Sequence, residues 1–342
     1  MASPNLSEIV TTTLRRRSGK LADNMGRNNI ILQEMKKSGN INPFDGGRTI
    51  VEELNYANNV TYRRYSGYEA LNISPSDVIT AAEYAIRQAA VAISISGLEM
   101  LQNNGREAII NLLESRINNA EMTADNGMAY DMFSDGTLTG QILGLQALIS
   151  TTPTSGTVGG IDRASWTFWQ NQKYSAASDG GAAITSANIQ RYMNTLAMRL
   201  IRGVDGPTMI LADNTSYQTY LESLTAIQRI TGADKAVGGF TALAYNGVGR
   251  EIPVYLAGGY QGSTTDGNTF GSAGAGAAGG PPASTMFFVN GKYLKYRPHR
   301  ERNWVPLDPD RFSVNQDAMV KLLGWAGNMT ISNSFLQGVL TT

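Results

Sequence analysis

The sequence predicts an α+β chain, on three observations. A proline-free segment with helical periodicity runs from Arg106 to Asp135. Stretches rich in β-branched and aromatic residues flank it, at Thr49–Tyr56 and Val78–Ser96 before it and from Thr285 after it. Between the helix and the last of these, residues 185–257 alternate helical and extended patterns, as a compact α/β unit does.

Composition narrows the class of function. The chain has 342 residues, long enough for a sizeable core and two or three domains. Its 28 basic and 28 acidic residues cancel, which removes the self-repulsion that opposes association. Only 16% of residues are charged, against about 25% in an average protein. With 15 tyrosines and abundant Asn, Thr, Ser and Gly, such a surface suits contact with other protein. The absence of cysteine excludes disulfides, thiolate catalysis and Cys-based metal sites. A single histidine, His299, leaves at most one imidazole for acid–base work. No apolar run approaches the length of roughly 18 residues that a membrane-spanning helix needs. The opening MASPNLSEIVTTTLRRRSGK lacks a hydrophobic signal core, so a soluble, cytosolic chain without a leader is expected.

Residues 1–47 read as a polar arm. Arg15, Arg16, Arg17, Lys20 and Arg27 precede Lys36 and Lys37, and the breakers Asn42-Pro43-Phe44-Asp45-Gly46-Gly47 close it. A short helix is expected over Ile30–Lys36, with too few large apolar residues for an independent core. Two readings of Arg15–Arg17 stand side by side: contact with phosphate or an acidic neighbour, or a solvated arm with incidental charge.

Residues 48–96 read as a long two-stranded excursion with a wide tip. Thr49–Tyr56 leads out, a polar middle carries Tyr62, Tyr65 and Tyr68, and Val78–Ser96 returns. The end of the return alternates Val91, Ile93 and Ile95 against Ala92, Ser94 and Ser96. An isolated hairpin is marginal in water. Nothing beside it in sequence offers enough apolar area, so it is expected to lie on another copy of the chain. Glu52, Glu53, Arg63 and Arg64 are then candidate interface charges that would set register, and Tyr62, Tyr65 and Tyr68 candidate contacts.

In the long helix, Asn103 or Asn104 is the expected cap, with Arg106 and Glu107 in the first turn. Ile109, Leu113, Ile117, Ala120, Ala124 and Met128 recur at steps of three or four and draw one apolar stripe. Gly127 weakens it by about 1 kcal/mol against alanine. At 1.5 Å per residue the segment makes a rod of roughly 45 Å, long against a mean helix of about 11 residues. That proportion suits a building block better than a catalyst.

Beyond the rod, Gly140–Ile149 is an apolar patch and Thr151–Gly160 a linker of turn residues. Ile161–Trp169 is dense in aromatics and reads as a packing anchor. In the α/β unit, Ser186–Arg202 is an expected helix with Ile189, Met193, Leu196, Leu200 and Ile201 on one face, stopped by Gly203. Pro207–Ala212 is a buried strand, and Asp213 or Asn214 caps a helix to Ile230 with Tyr217, Tyr220, Leu221 and Leu224 inward. Shorter strands are expected at Thr241–Tyr245 and Ile252–Leu256. Gly258–Ala283 is low-complexity and reads as a mobile loop. From Thr285 the chain turns to β again, with Asn290-Gly291 as a hairpin signal between Met286–Val289 and Tyr293–Tyr296. This return is expected to complete the sheet under the long helix.

No motif points to chemistry. Gly274 to Gly279 match the spacing of a dinucleotide fingerprint, but no strand precedes them and Pro281-Pro282 follow where a helix would start. His299 sits among Arg297, Arg300 and Arg302 and reads as a surface or interface residue. Asp308 and Asp310 flank Pro309 and read as a turn. No catalytic residue, cofactor or metal site is expected.

The order of parts resembles the major capsid protein of tailed phages, the Hong-Kong-type fold shared with herpesvirus capsids. Local stretches carry the resemblance too: Tyr65-Ser66-Gly67-Tyr68-Glu69-Ala70-Leu71 with Ser74-Pro75, Gly159-Gly160-Ile161-Asp162-Arg163, Ala212-Asp213-Asn214, and Asn315-Gln316-Asp317-Ala318. The resemblance implies an N-terminal arm (1–47), an extended loop (48–96), a peripheral domain (97–150 and 285–342, spine helix 104–135) and an axial domain (151–284, Gly-rich loop 258–283). It further implies pentamers and hexamers closing into an icosahedral shell around packaged double-stranded DNA, assembled in the host cytoplasm and ending in the virion. Implied partners are a separate scaffolding protein, since the chain has no room for a long cleaved segment, with a portal and a decoration protein. DNA is met by non-specific contact, for which Arg15–Arg17 are candidates, and no membrane is involved. Some relatives join the extended loop to a neighbour by a lysine–asparagine isopeptide bond. No lysine lies between Lys37 and Lys173, so a non-covalent shell is expected. The alternatives are another phage structural protein, such as a decoration or tail component, or an enzyme built on residues 185–257.

Overall fold

A computed structural model describes residues 30–96, 106–224, 242–247, 249–257, 280–307, 311–312 and 318–342. Expectations about Arg15–Arg17, the caps Asn103 and Asn104, residues 225–230, Gly274–Gly279, Asp308, Asp310 and Asn315–Asp317 lie outside the described residues.

Helix α1 (Ile30–Lys37) forms where the sequence places a short helix. It is no free arm, because Ile30, Ile31, Leu32 and Met35 are buried in the main core. The chain after it hugs a later strand: the Asn42 and Phe44 amides donate to the carbonyls of Tyr296 and Pro298.

Strand β1 (Thr49–Asn55) pairs antiparallel with β2 (Ile79–Ala85), in register from Thr49 opposite Ala85 to Asn55 opposite Ile79. The period of two turns Ile50, Glu52 and Leu54 inward, with Ala82 and Tyr84 facing the same way. The return does not stay in this ladder. At Ile86 the chain changes partner, and β3 (Arg87–Ser96) pairs instead with β13 (Ala318–Ile331). The Asn328 side chain marks the switch, donating to the Ala85 carbonyl at 2.8 Å and accepting from the Leu143 amide at 3.0 Å. The root of the excursion therefore rests on its own chain, contrary to expectation. The apolar area that covers it comes from elements far away in sequence.

Helix α2 (Arg106–Asp131) is the long rod, 26 residues and so about 39 Å. Its stripe is buried at Ile117, Ala120, Ala124 and Met128, and it lies along β3, where Arg116 bonds the Ser94 carbonyl. Two alanines in the stripe let helix and sheet approach closely. Helix α3 (Leu145–Leu148) carries the expected apolar patch, with Ile142, Leu145, Leu148 and Ile149 buried. The stretch expected as a linker is held as well: β4 (Thr157–Val158) and β5 (Ile161–Asp162) form a small hairpin whose Gly159 carbonyl accepts from the Glu83 amide at 2.9 Å.

The α/β unit contributes β6 (Gln172–Ser175), α4 (Ile189–Leu200), β7 (Met209–Ala212), α5 (Asn214–Ser223), β8 (Ala242–Tyr245) and β9 (Ile252–Leu256). Helix α4 ends before Gly203, because Ile201 is already extended; Gly203, at φ 61°, instead serves the turn in which Arg202 and Asp205 exchange backbone hydrogen bonds. Asp213 caps α5, accepting from the Thr215 and Ser216 amides at 3.1 and 3.0 Å.

Asn290-Gly291 does not make the expected hairpin. Strand β10 (Thr285–Val289) already has β7 on one side and β14 (Gly338–Thr341) on the other, so no edge is left for the next strand. The chain turns at Asn290 and enters a second sheet as β11 (Leu294–Pro306), paired with β13, which also carries β12 (Arg311–Phe312). The return thus divides between two sheets rather than completing one. Sheet order is β6-β14-β10-β7-β9-β8 in the first, and β11-β13-β12 with β3 on β13 in the second.

The six-stranded sheet is a wall between two cores. Met209, Leu211, Phe287, Val289 and Val339 face the main core with α1 and the long rod. Ile210, Ala212, Met286, Phe288 and Leu340 face a smaller core filled by Met193, Leu196 and Leu200 of α4. Burial on both faces is why these strands read as unbroken apolar runs. In the other sheet the β11–β13 register slips between Pro298 and Val305, and Trp304 takes a φ of 56°. Gly327 is required opposite the slip, since a Cβ there would meet the Pro298 Cα at 3.0 Å.

Candidate assembly surface

The paired part of the excursion ends where the Tyr56 amide donates to the Val78 carbonyl at 3.1 Å. Residues 57–78 beyond it form no strand, and the tip is shaped by its own side chains. Asn59 Oδ1 accepts from the Thr61 amide at 2.9 Å and the Ser76 hydroxyl at 3.1 Å, and Asn72 caps the Ser74 amide. Arg63 pairs with Glu69 at 3.2 Å. Tyr62, Tyr65 and Tyr68 are 85%, 63% and 109% exposed, and Val60, Leu71 and Ile73 are exposed with them. Those three aliphatic residues were overlooked in the sequence, although apolar side chains in a polar stretch are a readable signal. Their exposure makes the tip a candidate interaction surface. Arg64 and Glu53 are exposed.

Glu52 is the correction. It was expected at an interface between copies, yet it is 4% exposed and engaged within its own chain. Its carboxylate accepts from Lys295 Nζ at 2.6 Å, from Arg297 at 2.8 Å and from the Thr330 hydroxyl at 3.0 Å. Strand alternation decides this: Glu52 points the same way as Ile50 and Leu54, and Glu53 points out.

At the root of the excursion stands an aromatic cluster. The Tyr56 ring lies 5.8 Å from Trp166 and 5.5 Å from Phe168, and Phe168 lies 6.1 Å from Trp169. Trp169 is the packing anchor, buried with its indole N–H donating to the Val158 carbonyl at 2.9 Å. Trp166 is half-exposed and borders a cavity of about 490 Å³ together with Tyr56, Phe168, Asp77 and Asp162. On the other side of Tyr56 and Phe168 a second hollow of about 330 Å³ reaches Phe335. The Asp162 carboxyl is held below the usual carboxylate range, first by the Ser165 hydroxyl and then by the Ala164 amide.

His299, Arg163 and Tyr84 each have structural partners. His299 is half-buried, edge-on to Phe44 at 5.0 Å, with Nδ1 accepting from the Glu301 amide at 3.1 Å. Arg163 of the Gly-Gly-Ile-Asp-Arg stretch is buried and donates to the Leu148 carbonyl at 2.5 Å. Tyr84 is buried with its hydroxyl on the Ile331 carbonyl at 2.9 Å, and burial pushes that hydroxyl well above the ordinary tyrosine range. Among the described residues no three His, Asp or Glu side chains converge on a metal position, and no helix is long and apolar enough to cross a membrane.

No protein-family model matches the sequence, and no curated protein matches it. Among solved structures the chain is similar to a chain of the cyanophage A-1(L) capsid asymmetric unit, with a TM-score of 0.61, 14% identity, and 90% of this chain and 92% of that one covered. It is also similar to a chain of Mycobacterium phage Cain, with a TM-score of 0.47, 12% identity and 90% and 89% covered. A further likeness is to the holo-SrpI encapsulin complex of Synechococcus elongatus, with a TM-score of 0.47, 9% identity and 90% and 86% covered. At such identities the likeness is one of fold. The sheets, the long helix and the excursion thus make up the fold of a phage capsid protein.

Proposed function

We propose that the chain is the major capsid protein of a tailed phage, forming pentamers and hexamers of an icosahedral head around double-stranded DNA. The observation that carries this reading is the shared fold over 90% of the chain with a protein of a phage capsid asymmetric unit. The tip supports it, because Val60, Tyr62, Tyr65, Tyr68, Leu71 and Ile73 are all exposed within one short stretch, as at surfaces that meet other protein. Head-to-tail contacts between identical chains make rings when the rotation closes, and many weak contacts per subunit multiply into a stable shell.

In this reading residues 1–47 are the arm, 48–96 the extended loop, 97–150 with most of 285–342 the peripheral domain, and 151–284 the axial domain. Strand pairing favours adding Thr285–Val289 and Gly338–Thr341 to the axial domain, since both lie in one sheet with Met209–Ala212. The chain is a structural protein and not an enzyme. A separate scaffolding protein, a portal and a decoration protein are its proposed partners, and Arg15–Arg17 its proposed contacts to DNA or a neighbour. Assembly takes place in the host cytoplasm, and the shell is held without isopeptide bonds.

The test is negative-stain electron microscopy with sedimentation velocity on the purified chain, alone and co-expressed with its neighbouring genes. Closed shells, or rings of five and six, are the expected result. A discrete dimer or tetramer that never grows would overturn the reading.

A further inference from the structure

We propose that the cavity walled by Tyr56, Trp166 and Phe168 receives Arg64 of a second copy, its guanidinium stacked on the rings and paired with Asp77 and Asp162. The inference rests on the assembly reading and names the surface that the tip would meet. Three observations carry it.

The first is the chemistry of the cavity. Three aromatic rings and two carboxylates border about 490 Å³, and none of its lining residues is a lysine or arginine. Asp162 is preset for a cation: Oδ1 accepts from the Ala164 amide at 3.1 Å, and Oδ2 from the Ser165 hydroxyl at 2.6 Å and its amide at 3.3 Å. These bonds fix the carboxylate and leave each oxygen with spare accepting capacity. Aromatic faces with fixed carboxylates match a planar guanidinium better than a strongly hydrated ammonium.

The second is the state of the arginines on the tip. Arg63 is taken by Glu69 within the tip, whereas Arg64 is exposed and meets no acidic side chain among the described residues. Tyr62 and Tyr65 flank it, both exposed, and would cover the rim of the cavity as the arginine enters.

The third is placement. The cavity is built at the root of the excursion, from Asp77, Ile79 and Ala81, and Arg64 is not among its lining residues. An Arg64 that fills this cavity would therefore belong to a different molecule. Tip into root is a head-to-tail contact, so every subunit gives one arginine and receives one, and the contact repeats around a ring.

The test uses charge reversal in the full-length chain, with the wild type in parallel. Arg64→Glu and Asp77→Arg should each raise the concentration needed for assembly by about tenfold or more. The double variant should restore it, since each subunit then carries both reversed partners. Trp166→Ala, which leaves the charges alone, should weaken assembly as well. Both charged positions are exposed, so unchanged circular dichroism is expected for the charge-reversal variants. Normal assembly of Arg64→Glu, or a double variant no better than the singles, overturns the proposal. So does a deletion of residues 1–29 that mimics Asp77→Arg while Arg64→Glu is silent, because the occupant is then the arm with Arg15–Arg17. Failure of the wild type to form rings or shells is a separate result and sinks the assembly reading itself.

Discussion

Glu52 and Lys295 are 243 residues apart in sequence, and their side chains meet at 2.6 Å. With Arg297 on the other oxygen and the Thr330 hydroxyl beside it, this contact ties β1 to both β11 and β13. A projecting two-stranded element needs such an anchor, because seven residue pairs alone are marginally stable. The tip is free to be an interaction surface because the root is held.

Glu52→Ala should cost about 3 kcal/mol of stability, since it leaves two half-buried cations side by side without their anion. Glu52→Gln should cost less, as an amide oxygen still accepts from Thr330. Urea unfolding of the monomer measures both, and equal stability of all three chains would show that the clamp carries no load.

Glu34 on α1 is 7% exposed, and one of its carboxylate oxygens has no hydrogen-bond partner. Burial raises its pKa above the ordinary 4.5, a shift that Lys37 partly offsets. The folded chain thus holds this proton more tightly than the unfolded one. Stability from this group is greatest below pH 4.5 and is lost as the pH rises through the raised value. Glu34→Gln should therefore stabilise the chain at neutral pH by roughly 1 kcal/mol. The gain should shrink to nothing in acid, which thermal melts across the pH range would reveal.

Deleting residues 58–77 removes the tip and keeps the β1–β2 register from Thr49 to Asn55. The expected product is a folded monomer, within about 1 kcal/mol of the full chain because a shorter connection closes at least as easily. It should form no shells. Normal particles from this deletion would remove the tip from assembly.

The excursion from Thr49 to Ser96 contains no lysine, so it has no amine to offer an isopeptide bond. Particles boiled in detergent should run as monomers only. A ladder of covalent multimers would show a cross-link of other chemistry.

Local patterns were legible wherever one periodicity ruled. The stripe Ile117, Ala120, Ala124 and Met128 is buried as its spacing requires, and Ile93 and Ile95 are buried as their alternation requires. Asp213 is the cap that its place before an amphipathic run marks out. Pairing was not legible. Asn290-Gly291 has the composition of a hairpin, but a turn dipeptide cannot report that β7 and β14 have already claimed both edges of β10. Glu52 and Glu53 are chemically equivalent in sequence, and only the register of β1 puts one on the clamp and the other in solvent. The aromatic cavity had a partial signal in Trp166 and Phe168. Tyr56 and Asp77 join them only because the two ends of the excursion come back together.

The amino-acid order alone settled the long rod, the α/β alternation and the absence of thiol chemistry. These follow from hydrophobic period, turn residues and composition, which act over a few neighbouring positions. Strand partners, the split of the C-terminal return between two sheets, and the inward turn of Glu52 were decided by packing. They depend on contacts such as Glu52 with Lys295 and Asn328 with Ala85, each spanning 243 residues. A local period carries no record of which distant surface will cover it, because burial is won by whichever apolar faces fit together.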